Sequence, residues 1–172
     1  MTQAPITILG IDPGSRITGY GILSVEKERI ACLAGGCFRL EGKTHFHRLK
    51  QLFDSLKGLV QTYQPHEVAI EQVFVHKNPN SALKLGQARG VAISAVMMKN
   101  VLIFEYAPRA IKQSVVGRGS AEKAQVQHMI KVLLKLPDLP QQDAADALAI
   151  ALCHAHTRQS PLAERDPFFC YD

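Results

Sequence analysis

The chain has 172 residues, 47% hydrophobic and 20% charged, which suits one globular domain and excludes a disordered protein. Its longest apolar run, Val91–Met98, is too short to span a bilayer, and no signal-like segment stands at the start. We therefore expect a soluble cytoplasmic protein. The net charge of +5 favours a polyanionic partner. The four cysteines lack a CxxC pair and are expected to be free thiols.

The first stretch with a chemical pattern is ITILGIDPGSRITGYGI, at Ile6–Ile22. It predicts an apolar strand over Ile6–Ile11 that ends in Asp12, a turn at residues 13–15, and a second strand over Tyr20–Val25. A carboxylate at the end of a buried strand is costly unless a cation compensates it. Asp12 is therefore a candidate metal ligand.

The same arrangement recurs further along the chain. A third strand over Arg29–Leu40 and a helix that begins after Thr44 are followed by a short apolar strand, Val68–Ile70. Glu71 stands at the end of that strand, as Asp12 does at the end of the first. The presence of an acid at the end of each of two strands predicts that the two carboxylates bind the same cation.

An irregular loop follows Glu71 and carries Phe74, an aromatic residue with no partner at helical or alternating spacing. One interpretation is that Phe74 packs back on the domain. The other is a wedge that stacks on bases or separates them. Sequence periodicity leaves both open.

The next predicted helix, Ser81–Lys99 with Asn80 as its cap, has small residues at every fourth position. These are Ala82, Gly86, Gly90 and Ser94. The second half of the helix is apolar nearly all round, which indicates burial on more than one side. Either the helix lies deep in the core or one face meets a second subunit, and we favour a twofold dimer.

A basic segment comes after the predicted last strand, Val101–Tyr106. After Tyr106 the sequence predicts a short helix, Pro108–Val115, and a second helix, Ala121–Leu136, capped by Ser120. The residues of the second helix that face inward are Val126, Met129, Ile130 and Leu133. The charge is counted over residues 106–135. The cations of this segment are Arg109, Lys112, Arg118, Lys123, Lys131 and Lys135, against Glu122 alone. A basic stripe beside an acidic metal cluster is the layout expected of a nuclease.

The final predicted helix, Asp143–His156, places Asp143 and Asp146 on one face, because they are three residues apart. An acid in a first turn is commonly a partner of the helix dipole, but two acids on an alanine-rich helix favour a metal site. A zinc site using Cys153, His154 and His156 fits in residue type but not in helical spacing.

Four stretches of this sequence together resemble the RuvC family of bacterial Holliday junction resolvases. They are ILGIDPGSRITGYGI, VAIEQVFVHKNPNSALKLGQARG, YAPRAIKQSVVGRGSAEKAQVQHMI and DAADALAIALCHA. The resemblance implies an α/β fold of the RNase H-like superfamily, with a five-stranded mixed sheet flanked by helices. It also implies a nuclease domain over residues 1–157, followed by a flexible tail at 158–172.

The resemblance also assigns the site. It implies that the catalytic, metal-binding acids are Asp12, Glu71, Asp143 and Asp146, that the active-site lysines are Lys112 and Lys123, and that Phe74 probes the junction. Lys77, Arg118 and the two active-site lysines are the further expected DNA contacts.

The activity that the resemblance implies is metal-dependent hydrolysis of phosphodiesters in four-way DNA junctions, within DNA recombination and repair. Paired symmetric nicks would leave 5′-phosphate and 3′-hydroxyl ends. Two Mg²⁺ ions per subunit are expected, with Mn²⁺ able to substitute, since carboxylates suit these hard cations. The expected partners are junction DNA, a second copy of the chain, and the branch-migration proteins RuvA and RuvB, with no membrane.

Three other functions share parts of this pattern. An actin-like ATPase or sugar kinase also has a strand followed by D-x-G, but it needs two related domains and a second Gly-rich loop. A ribonuclease acting on RNA–DNA hybrids would keep the same acids. A non-catalytic junction-binding protein would use the acids only as caps of helices and strands.

Overall fold

A computed structural model describes residues 4–73 and 78–159. Its elements are β1 (Ile6–Asp12), β2 (Ile17–Glu26), β3 (Arg29–Arg39), α1 (His45–Tyr63), β4 (Glu67–Glu71), α2 (Pro79–Val96), β5 (Leu102–Tyr106), α3 (Pro108–Val116), α4 (Lys123–Leu133) and α5 (Gln142–Gln159). Among the described residues, no helix combines the length and the apolar character needed to cross a bilayer.

The strands form one mixed sheet in the order β3-β2-β1-β4-β5. β1, β2 and β3 pair antiparallel, whereas β4 is parallel to both β1 and β5. The predicted five-stranded mixed sheet is confirmed. Because the carboxyl ends of parallel strands meet at one edge, Asp12 and Glu71 end up side by side at the same edge of the sheet.

Helices cover both faces of the sheet. Because successive side chains of a strand point to opposite faces, the strands contribute apolar side chains to a hydrophobic core on each face. On one face Ile8 and Ala69 pack with α3, α4 and α5. On the other, Leu9 and Val68 pack with α1 and α2. Since side chains alternate in direction along a strand, Asp12 and Glu71 point to the face that α5 covers.

Helix α5 approaches β1 and β2 closely because glycines in the strands leave room for its backbone. A Cβ atom on Gly10 would overlap the carbonyl oxygen of Ala147, and one on Gly19 would overlap that of Asp143. On the helix side, the small residue Ala151 also faces Gly10. This packing brings the first turns of α5 directly over the end of β1.

Several predicted helix boundaries are wrong by a few residues, and capping explains two of them. Helix α2 begins earlier, because Asn78 is its cap and accepts hydrogen bonds from the backbone of Asn80 and Ser81. Helix α4 begins later, because Glu122 and Gln125 form a capping box in place of a Ser120 cap.

The inward face predicted for α4 is correct for Val126 and Ile130 but wrong for Leu133, which is exposed. The helix ends at Leu133, and Leu134, in the cap position, is buried in its place. Cys32, Cys37 and Cys153 are free thiols in the described part of the chain, as expected, and Cys170 lies outside it.

Helix α5 continues to Gln159, three residues past its predicted end and two residues into the predicted tail. Two contacts hold this last turn: Arg158 Nε donates to both carboxylate oxygens of Glu67, and Gln159 donates to the carbonyl of Lys27. The rest of the predicted tail, residues 160–172, lies outside the described residues.

Glu67 belongs to a polar network at the edge of the sheet opposite Asp12. His154 is 2% exposed; its Nε2 lies 2.8 Å from Glu67 Oε2 and its Nδ1 lies 2.6 Å from the hydroxyl of Tyr106. Burial alone would raise the pKa of Glu67, but the hydrogen bonds from His154 and Arg158 outweigh it and lower that pKa to about 2. The network therefore fixes the C-terminal end of α5 to the start of β4.

We predict that Glu67→Gln lowers the free energy of unfolding by about 1–3 kcal/mol at pH 7, because it removes the charged partner of His154 and Arg158. A folded-state pKa below the unfolded value of 4.5 stabilises the fold above pH 4.5, and this stabilisation is lost as the pH falls toward 2. Urea unfolding at pH 7 and pH 3 measures the difference. Glu28→Gln, at an exposed hairpin position, is the control, and a deficit that does not shrink at pH 3 would contradict the assignment.

Candidate active site

The acids at the sheet edge line a cleft of about 250 Å³. Asp12 and Glu71 lie at the ends of β1 and β4, and Asp146 reaches the cleft from the second turn of α5. Lys112 of α3 and Lys123 of α4 close the other side. The apolar walls are Pro108, Ile111, Val126, Ala149 and Ile150. Five of the predicted site residues thus meet in one cleft.

Asp12 carries the largest electrostatic perturbation among these groups. Burial raises its pKa, and the neighbouring Glu71 and Asp146 carboxylates raise it further, to about 7, against a smaller opposing effect of Lys123. Glu71 has its pKa raised for the same reasons, burial first and then Asp146, with Lys123 and Lys112 acting in the opposite direction. The cleft therefore holds more negative charge than its own lysines compensate.

Lys123 is the cation closest to this charge. Its Nζ lies 3.2 Å from Asp146 Oδ2, in a salt bridge whose lysine side chain is 66% exposed. Partial burial acts against the charged form, but Asp146, Asp12 and Asp143 outweigh it and raise the pKa of Lys123. An ion pair with so exposed a lysine contributes at most about 1 kcal/mol, so Lys123 remains free to turn toward another anion.

Asp143 lies in the first turn of α5 but is not part of the cleft wall. Its negative charge still acts electrostatically on the cleft, since it raises the pKa of both Asp12 and Lys123. Arg118 is exposed in the segment between α3 and α4, outside the cleft wall. The predicted DNA contacts Phe74 and Lys77 lie outside the described residues.

In residues 4–73 and 78–159, no three His, Cys, Asp or Glu side chains converge closely enough to ligate one metal ion. The like charges of the acids repel one another, and one oxygen of Asp146 is turned to Lys123. Drawing the carboxylates together costs energy that a divalent cation offsets. The donor set itself, carboxylate oxygens at a sheet edge, fits Mg²⁺ or Mn²⁺.

The alternative zinc site has no such fit. Both ring nitrogens of His154 already have partners, in Tyr106 and Glu67, and His156 Nδ1 lies 3.0 Å from the hydroxyl of Ser114. These contacts place the two histidines in the structural packing of α5 against β5 and α3.

Sequence reasoning missed the residues that hold Asp12 in place. Thr18 is fully buried, and its hydroxyl accepts from the Gly14 amide and donates to the Gly14 carbonyl. From the other face of the sheet, Arg48 donates to the carbonyls of Ser15 and Gly42. The contact of Thr18 with Gly14 could have been predicted, because the two residues are only four positions apart. The contact of Arg48 with Ser15 could not, because 33 positions separate them.

A mixed sheet with acids at its parallel strand ends, a third acid on the covering helix and two lysines in the same cleft is the arrangement of a nuclease of the RNase H-like group. The family described as crossover junction endodeoxyribonuclease RuvC matches residues 8–154. The chain therefore belongs to the RuvC family of crossover junction endodeoxyribonucleases. The expected family and fold are confirmed.

Curated relatives are similar over most of the chain. The RuvC of Tolumonas auensis is 56% identical over 153 residues, which cover 89% of this chain and 88% of the relative. The RuvC of Legionella pneumophila is 57% identical over 152 residues, covering 88% and 87%.

Solved structures agree with this assignment. Thermus thermophilus RuvC superposes with a TM-score of 0.80 at 30% identity, covering 90% of this chain and 96% of its own. The same protein in complex with a Holliday junction substrate gives a TM-score of 0.83 at 29% identity, covering 90% and 95%. The yeast mitochondrial Holliday junction resolvase shares the fold, with a TM-score of 0.64 at 16% identity over 92% of this chain and 80% of its own.

We predict that Asp12→Asn stabilises the metal-free protein at pH 8 by about 1–2 kcal/mol, a value discounted for partial solvent screening. A folded-state pKa raised from 3.8 to about 7 means that folding stability falls as the pH rises through this window, because the charged form is disfavoured in the fold. Urea unfolding in EDTA at pH 8 and pH 4 tests this.

At pH 4 the advantage of Asp12→Asn should nearly vanish. Asp138→Asn removes an exposed acid outside the cleft and serves as the control for net charge. An Asp12→Asn variant less stable than the wild type at pH 8 would mean that the other acids do not oppose ionisation of Asp12.

Proposed function

We propose that this protein is a structure-selective endonuclease that resolves four-way DNA junctions by metal-dependent hydrolysis. The observation that carries the proposal is the cleft in which Asp12, Glu71 and Asp146 crowd together opposite Lys112 and Lys123. Membership of the RuvC family supports the substrate, since a similar RuvC forms a complex with a Holliday junction. We further infer paired, symmetric nicks with 5′-phosphate and 3′-hydroxyl ends, in DNA recombination and repair.

Asp12, Glu71 and Asp146 would hold divalent cations at the sheet edge, and Asp143 would complete the set from the first turn of α5. Bound Mg²⁺ or Mn²⁺, two per subunit, would supply Lewis acidity for in-line hydrolysis of a phosphodiester. The rigidity of the site comes from the protein, because each of the two acids that end strands follows four buried strand residues. A third acid on a tightly packed helix limits their relative movement.

Lys112 and Lys123 would bind the scissile phosphate and offset the charge that builds on it during attack. Both lie in the cleft wall opposite the acids, and Lys123 can exchange its exposed ion pair with Asp146 for a phosphate oxygen at small cost. Arg118 and Lys77 would add phosphate contacts beside the cleft. Phe74 would act as the aromatic wedge at the branch point, on the segment that joins β4 to α2.

We infer a homodimer from the exposed side of α2. Gly86 and Gly90 are exposed, and a Cβ atom on either would meet nothing within 4 Å. Leu83 and Met97 at the two ends of the same helix are 66% and 62% exposed. Two glycines that cost helix propensity, at positions where the described part of the subunit leaves room for a side chain, favour close approach by a second copy. A dimer would present two clefts to one junction, which suits paired nicks.

The remaining inferences concern the setting of the enzyme. RuvA and RuvB, which drive branch migration, would be its protein partners. The nuclease domain would extend to the end of α5 at Gln159, since Arg158 in the last turn binds Glu67. Action on bacterial chromosomal DNA would place the protein in the cytoplasm.

The proposed function predicts that Asp146→Asn lowers the cleavage rate of a labelled four-way junction by at least about a hundredfold in Mg²⁺. Junction affinity should stay equal or rise, because the substitution removes negative charge next to a phosphate. Gel-shift titration in EDTA and single-turnover cleavage in Mg²⁺ measure the two quantities separately. Asp138→Asn is the charge-matched control, and a parallel loss of binding and cleavage by Asp146→Asn would indicate a structural role.

The dimer proposal predicts that Gly90→Leu produces monomers in sedimentation velocity experiments. Because a Cβ atom at position 90 has nothing within 4 Å in the described part of the subunit, the monomer should still fold, with the circular dichroism spectrum of the wild type. Gly58→Leu on α1 is the matched control, since Gly58 is equally open. An intact Gly90→Leu dimer would show that subunits meet elsewhere.

A further inference from the structure

Phe46 is 76% exposed, the most exposed large hydrophobic side chain in the described part of the chain. It lies in the first turn of α1, and the exposed cations Arg16, Arg39 and Lys43 come from the segments next to that turn. We call these four side chains the arm surface. None of them belongs to the cleft wall.

Backbone contacts join the segments of the arm surface into one unit. Arg48 Nε donates to the carbonyl of Ser15 at 3.2 Å, and its Nη1 donates to that of Gly42 at 2.9 Å. The Leu40 amide donates to the Arg16 carbonyl at 2.8 Å. The turn after β1, the segment before α1 and the first turn of α1 are therefore held together, and Arg39 faces Ile17 across the β2–β3 pair.

The arm surface adjoins the active cleft. Arg16 follows Asp12 by four residues, so their Cα atoms lie within about 14 Å of one another even for extended chain. At 3.4 Å of duplex axis per base pair, that upper limit corresponds to at most about four base pairs. A duplex whose strand is cut beside Asp12 would still be within reach of Arg16.

The charge of this surface suits a polyanion. Within residues 4–73 and 78–159, none of Arg16, Arg39 and Lys43 has a carboxylate at salt-bridge distance. Glu41 is the only acid between residues 38 and 50 of the sequence. A single exposed aromatic side chain among unpaired cations fits the sugar-phosphate backbone of DNA, with phosphates on the cations and apolar sugar atoms on the ring.

We propose that the arm surface is a second DNA-binding site, which holds the duplex arm within about four base pairs of the scissile phosphate. The inference rests on the proposed junction-cleaving function and adds the path of the arm beyond the cleft. Arg16, Arg39 and Lys43 bind phosphates of that arm, and Phe46 packs in its minor groove. Arm binding at this distance orients the scissile strand across the acidic cleft.

The first experiment measures junction affinity in EDTA as a function of salt, for the wild type, Arg16→Ala/Lys43→Ala and Phe46→Ala. Loss of two phosphate contacts should weaken binding by about tenfold at moderate salt and reduce the slope of log K against log salt by about 2. Phe46→Ala should weaken binding with little change in slope, because it removes no charge. Lys27→Gly/Arg29→Ala is the matched control: it also removes two exposed cations, at the opposite edge of the sheet.

The second experiment is a hydroxyl-radical footprint of the same complexes. The wild type should protect sugars of the duplex arm within about four base pairs of the cut site, and both arm-surface variants should lose that protection while keeping protection at the crossover. An unchanged footprint, an unchanged salt slope, or an equal effect of the control variant would overturn the proposal.

Failure of the proposed function is distinguishable from failure of this inference. If the wild type does not prefer the junction to a linear duplex, the junction-cleaving function fails, and the salt slopes measured on the linear duplex still test the arm surface. A variant that lowers cleavage at saturating protein without weakening binding would place these residues in catalysis and overturn the binding assignment.

Discussion

The close contact between α5 and strands β1 and β2 determines where the acids of the cleft can lie. Gly10 and Gly19 leave no side chain between the strands and the backbone of α5 at Ala147 and Asp143. The helix therefore carries Asp146 into the cleft that Asp12 and Glu71 already line. Burial of Asp12, and then the neighbouring Glu71 and Asp146 carboxylates, disfavour its charged form and raise its pKa to about 7. A divalent cation would compensate this charge, which is the basis of the proposed metal-dependent hydrolysis.

The other end of α5 shows how the fold maintains this arrangement. Arg158 and His154 bind Glu67 at the start of β4, and Glu71, at the end of the same strand, lines the cleft. Helix and strand are thus tied at one edge of the sheet while their acids meet at the other. Similarly, Arg48 and Thr18 hold the turn that follows Asp12. These contacts outside the cleft hold the mutually repelling carboxylates of the cleft in position.

Much of this site could be predicted from the sequence because its signals are local. An acid that ends an apolar strand, as Asp12 and Glu71 do, and two acids three residues apart on a helix are visible without coordinates. The pairing of Lys123 with Asp146 and of Glu67 with Arg158 was not visible, since 23 and 91 residues separate the partners. The extension of α5 to Gln159 depends on such distant contacts. The exposure of Leu133 depends on the position at which α4 ends. Periodicity alone cannot report either.

The most direct test of the account is calorimetric titration of the protein with Mg²⁺ and Mn²⁺ in buffers of different ionisation heat. If the crowded carboxylates form a cation site, the wild type should bind about two ions per subunit. Binding at pH 6.5 should release a proton, because Asp12 with a pKa of about 7 is largely protonated there, and the release should shrink at pH 8.5. Asp12→Asn should bind weakly and release no proton. Saturable binding that is identical in the variant, or no binding by the wild type, would contradict the central claim.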